Sequence, residues 1–200
     1  RTSINRLVAP MVMAWTLVGE GKVAEGLEAL DELNVNAQYA PFKDYMTALI
    51  NVLSNNADVA EQSFLDPLYG GAGPRQVLAY GNFLEIQNQT ESAIALYESF
   101  LEIQPIEAIV VALNNARSGT PALPIITSVN DGLAEVFYVV SISLAQENAT
   151  NAARNFSRMA TYLRADFDPA RMVLAESMES EGATMAALEV LEKIAPDSAY

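Results

Sequence analysis

From Val77 to Pro105 the apolar positions Val77, Tyr80, Gly81 and Leu84 follow at helical spacing. Asn88 interrupts them, and Ala93, Tyr97 and Phe100 resume the spacing until Pro105. Steps of three and four residues mark one face of a helix, so this stretch predicts two helices joined by a turn. The pattern recurs along the chain, marked by the small residues Gly26, Ala60, Ala93, Ala153 and Ala187, at separations of 34, 33, 60 and 34 residues. A period near 34 is the mark of a repeated helix–turn–helix unit. Each small residue opens the second helix of its pair, where the first helix crosses too closely for a large side chain. Five residues before each stands Gly or Asn: Gly21, Asn55, Asn88, Asn148 and Gly182. Those residue types tolerate the left-handed backbone that a tight helix-to-helix turn demands.

The expected fold is therefore all-α, a single domain over 1–200 built of five helix pairs near 7–38, 39–69, 74–105, 130–165 and 168–196. The separation of 60 exceeds one period and marks an insertion over 106–129. Within it, 106–116 reads as a short helix with Ile109, Val110 and Leu113 on one face. The stretch 118–124, with two prolines and a glycine, cannot be helix interior and reads as a loop. Long loops in compact domains are often functional; the simpler expectation is that this one covers an exposed helix flank. A second cluster of breakers, 70–74, separates the second and third pairs. It is no phosphate loop, because no Lys-Ser or Lys-Thr follows and Arg75 begins a helix.

The order of large, small, turn, small, aromatic and proline positions from Val77 to Pro105 resembles the tetratricopeptide repeat (TPR) family. The resemblance extends with losses over about 7–104 and 134–195. It implies a right-handed superhelical solenoid with a concave groove lined by the first helix of each pair, and a non-catalytic scaffold or adaptor that holds a peptide or amphipathic helix there. The positions it turns toward the groove include Val8, Met11, Trp15, Phe42, Tyr45, Leu49, Leu78, Asn82 and Tyr138, with Val52 and Glu85 beside them. Such a groove would be apolar and aromatic at its N-terminal end, fitting an apolar or basic partner. It would not clamp an acidic C-terminal peptide, since Lys43 stands without other cations nearby. The same aromatics would equally suit a groove filled by the chain itself, by an upstream segment, or by a second copy in a homodimer, as in an envelope assembly factor.

Charge narrows the partners. With 25 acidic against 11 basic residues the chain carries a net −14. Nucleic-acid binding is disfavoured, because neutralising phosphates takes stripes of Lys and Arg and the chain has three lysines. An anionic membrane surface is disfavoured for the same reason. No histidine and no cysteine is present, which removes disulfides, thiol nucleophiles, Cys/His metal sites and a Ser-His-Asp triad. No cofactor is expected. Carboxylates are plentiful, so a carboxylate-based hydrolase is the remote alternative. Glu25, Glu28, Asp31, Glu32, Glu189 and Glu192, however, fall on outward helix faces. Apolar residues 7–19 behind Arg1 and Arg6 imitate a signal-peptide core but carry the first repeat in register. A processed or excised chain, periplasmic if a signal lies upstream, fits Arg1. No uncharged apolar run reaches 18 residues, so no membrane span is expected. Arg154, Arg158, Arg164 and Arg171 are expected to pair with acids of neighbouring helices.

Overall fold

A computed structural model describes residues 3–69, 73–195 and 198, with backbone alone for residues 3 and 66–69. Gly70, Gly71 and Ala72 of the second breaker cluster lie outside the described residues. Those residues are all-helical, without strands. Eleven α-helices run in chain order: α1 (Ser3–Gly19), α2 (Val23–Ala29), α3 (Ala40–Leu53), α4 (Ala57–Tyr69), α5 (Pro74–Ile86), α6 (Thr90–Ile103), α7 (Glu107–Ser118), α8 (Val129–Gln146), α9 (Thr150–Leu163), α10 (Asp168–Ser180) and α11 (Thr184–Leu191). Two 3-10 stretches, Leu30–Val35 and Ala37–Tyr39, lead from α2 to α3.

Five turns share one geometry. Gly21, Asn55, Asn88, Asn148 and Gly182 all have positive φ, between 58° and 80°. In each, the next residue's N–H donates to the carbonyl five residues back: Lys22 to Leu17, Asn56 to Asn51, Gln89 to Leu84, Ala149 to Leu144 and Ala183 to Met178, at 2.8–2.9 Å. This is the Schellman closure, which satisfies carbonyls that a helix end leaves unpaired. The small residues five positions on are all buried. At Gly26 the reason is direct: an added Cβ would lie 2.8 Å from the Ala14 carbonyl oxygen.

The chain divides into two compact units. The described residues of Arg1–Leu33 and Ser128–Ser198 form one, and Asn34–Thr127 forms the other. In the first, α1 packs on α2 and on α8, α8 on α9 and α10, and α10 on α9 and α11. Trp15 is fully buried here, with its indole over Gly132 of α8; an added Cβ at Gly132 would fall 2.4 Å from the ring. Tyr138 and Phe167 pack with centroids 5.0 Å apart, and the Arg164 guanidinium lies 4.9 Å from the Phe167 centroid. Arg164 also stands 3.8 Å from the wholly buried Glu135 carboxylate. Arg154 pairs with Glu181 at the end of α10, so Arg154 and Arg164 meet acids of neighbouring helices as expected, whereas Arg171 pairs with Asp168 of its own helix, three residues back.

In the second unit, α3 packs on α4, α4 on α5, and α5, α6 and α7 on one another. Phe64 of α4 meets Tyr80 and Phe83 of α5 at 5.4 and 5.7 Å between centroids. The α5 N-terminus is held twice by Gln76. Its Oε1 accepts from Gly73 N–H at 2.8 Å, and its Nε2 donates to the Pro41 carbonyl at the start of α3, at 3.2 Å. Gly81 lets α5 receive the Tyr97 ring of α6, where an added Cβ would sit 2.2 Å from ring atoms. Helix α7 covers the stretch read as a short helix. It ends at Gly119, whose φ is 72°, and Ile109 and Leu113 are buried while Val110 is half-buried.

Candidate functional site

The site with chemistry to offer is a cavity of about 460 Å3 within Asn34–Thr127. Leu49, Val52 and Leu53 line it from α3, Phe64 from α4, and Ala79, Asn82, Phe83 and Ile86 from α5. Helical spacing explains the last group: 79, 82, 83 and 86 follow steps of three, one and three, placing all four on one stripe of α5. Asn51, Asn55 and Gln87 add neutral amides to the lining. No described residue lining the cavity is charged. The remaining lining is Ala57 of α4 and Pro124–Ile126, from the loop after α7.

Asn82 joins that loop to the helix. Its Nδ2 donates to the Leu123 carbonyl at 3.0 Å, and its Oδ1 accepts from the Ile125 N–H at 3.1 Å. In an extended chain the carbonyl of one residue and the N–H two residues on point to the same side. One amide therefore meets both, as a neighbouring strand would. Pro124 lies between them. Its missing N–H costs this arrangement nothing, and its fixed φ favours the extended form. Ile126 is buried, Ile125 half-buried, and Leu123 is 83% exposed.

Asn51 is the odd member of the five turns. Leu17, Leu84, Leu144 and Met178 hold the matching position elsewhere. Asn51 is buried, donating to the Thr47 carbonyl at 2.8 Å and accepting from Asn56 Nδ2 at 3.3 Å. Next to the cavity stripe on α5, Glu85 Oε1 accepts from the Tyr97 hydroxyl at 2.9 Å. Burial raises the Glu85 carboxyl pKa, an effect the Tyr97 hydrogen bond opposes. Burial, reinforced by the Glu85 charge and the hydrogen bond, pushes the Tyr97 hydroxyl well above the ordinary phenol range.

Of the nine residues turned toward a groove by the repeat pattern, the cavity unites Leu49 and Asn82. Leu49 is itself buried, and Asn82 is half-buried. Val8, Phe42 and Leu78 are half-buried on α1, α3 and α5. The expectation of an open apolar and aromatic face is corrected: Met11, Trp15, Tyr45, Leu49 and Tyr138 are buried. For Trp15 the cause is the slot over Gly132, and for Tyr138 it is the Phe167 ring. Sequence reasoning missed Ile125 and Ile126. Two adjacent β-branched apolar residues directly after a Pro-rich breaker were the available signal.

Among the described residues no three acids come together as a metal-holding group, and no helix is long and apolar enough to cross a membrane. Comparison with protein-family models finds no match to this chain, and comparison with curated proteins finds none either.

Proposed function

We propose that this chain is a non-catalytic protein-interaction scaffold, a TPR-like array of helical hairpins that binds an extended, uncharged peptide in the cleft between α3 and α5. The five identical turns and the small residues behind them support the repeat reading. One observation carries the binding reading: Asn82, lining an uncharged cavity with apolar walls, takes a backbone carbonyl and a backbone N–H two residues apart in one segment. Backbone pairing supplies affinity for any extended chain, and the apolar walls select side chains, as when a peptide adds to a strand edge. The cleft residues have no group suited to proton transfer or nucleophilic attack, which is why binding rather than chemistry is proposed for it.

Selection from a displayed peptide library on the full chain tests this. Enriched peptides should share an uncharged apolar core. With residues 122–126 replaced by alternating Gly and Ser, so that the chain's own loop no longer occupies Asn82, adding Asn82→Ala should weaken binding about tenfold, the loss expected when a hydrogen-bonding pair goes unmet. Ile86→Glu should weaken it at least as much, because it sets a charge beside the apolar wall. Ile86 is 40% exposed, so the fold should tolerate that change, as circular dichroism would verify. Enriched peptides that bind each variant as tightly as its own parent chain would overturn the proposal.

A further inference from the structure

We infer that residues 121–126 are an internal occupant of this cleft, a strap that an external ligand must displace. The ligand is an extended peptide of the same chemistry: apolar, proline, then two apolar residues, uncharged throughout. The inference rests on the reading of the cleft as a peptide site and adds how the site is regulated.

Three observations carry it. The strap has no regular structure and makes its hydrogen bonds to α5 through its backbone, at Leu123 and Ile125. Those bonds depend on an extended main chain and not on which chain supplies it. Second, the strap buries one large side chain, Ile126, and leaves Leu123 in solvent. It therefore fills the cleft only in part, and about 460 Å3 remains between it and the helices. Third, both ends of the strap have their own stops. Gly119 closes α7, with Thr120 N–H donating to the Asn115 carbonyl at 3.0 Å, and Ser128 caps α8 by accepting from Asp131 N–H at 3.2 Å. The strap can leave without unwinding either helix.

A tethered segment competes at an effective concentration on the order of millimolar. A free peptide therefore meets a cleft whose competent state is a minor one, and its apparent affinity falls by that fraction. The test uses a fluorescent peptide copying residues 120–127, with anisotropy as the readout. Two full-length variants loosen the strap. One carries Pro124→Gly and Ile125→Gly and keeps Ile126. The other replaces 122–126 with alternating Gly and Ser. Both should bind the peptide at least tenfold tighter than the parent, and Asn82→Ala should abolish the gain. Hydrogen exchange on the unaltered chain gives a second readout, independent of variant folding. The Ile125 amide should be protected in the free protein and lose protection as a library-selected peptide saturates the cleft.

If folded variants bind no tighter than the parent, or if Ile125 stays protected at saturation, the strap is no competitor and the inference fails. Library peptides that still lose affinity with Ile86→Glu would then leave the cleft reading standing, since Ile86 lines the cavity and makes no bond to the strap. Library peptides indifferent to Ile86→Glu would remove that reading, whatever the strap does.

Discussion

At Gly81 the backbone of α5 touches the Tyr97 ring, leaving no volume for a methyl group. Gly81→Ala should therefore cost stability despite the better helix propensity of Ala, by about 1–3 kcal/mol, the usual range for overpacking. Gly132→Ala, under the Trp15 indole, should behave alike, and urea titration of each variant measures both. The two glycines differ in how far they could be foreseen. Gly81 stands at a repeat position where a small residue is expected, whereas nothing local to Gly132 announces an indole from α1. The Tyr97 hydroxyl gives a pH signature. Its pKa is raised in the folded state, so below the ordinary phenol value of ~10 both states hold the proton and pH has no effect. Above it the unfolded chain releases the proton and the folded one keeps it. Stability must then fall with rising pH, by up to ~1.4 kcal/mol per pH unit for this one group. Tyr97→Phe should flatten the alkaline limb of the stability profile by that share. An unchanged limb would show that the phenol ionises freely in the folded state.

At the scale of the element, the turns repeat more faithfully than the helices they join. Asn88 at φ 61° holds a conformation that costs an ordinary L-residue roughly 1–2 kcal/mol. Asn88→Ala should lose about that much, and Asn88→Gly should stay near the parent, since glycine accepts the backbone without strain. Thermal melts of the pair decide it: equal melting temperatures would mean that the left-handed residue is not what the turn selects for. These turns were legible because the requirement is local, a positive φ between two helices, and few residue types meet it. The strap was not legible in the same way. Pro121 and Pro124 exclude a helix but do not say what the loop touches. The partner that holds it, Asn82, is indistinguishable in sequence from any polar residue on a helix face. The same limit applies to Asn51, buried where the other four turns carry Leu or Met.

At the scale of the whole molecule, the repeat period counts hairpins but does not say which hairpin packs on which. Repeated units present similar apolar faces, and nearest-neighbour stacking is only the simplest way to bury them. In the unit that contains the first hairpin, α1 packs on α8, and the chain between them supplies Asn34–Thr127 as a compact unit of its own. That is why Trp15, read from the period as a groove residue, is core: the face it occupies is covered by a helix far along the chain. A self-contained core makes a sharp prediction. Replacing 34–127 by a flexible Gly/Ser linker of about 15 residues, which spans on the order of 20 Å, should leave α1, α2 and α8 to α11 folded together. The chain has a single tryptophan, so its fluorescence reports on the α1–α8 contact alone. The shortened chain should show helical circular dichroism, blue-shifted Trp15 emission and a cooperative urea transition in that emission. Adding Gly132→Ala should move the transition to lower urea, because it forces the indole from its slot. Emission of a fully solvated indole in the shortened chain, under conditions where the full chain is folded, would show that the first hairpin does not hold to α8 by its own packing.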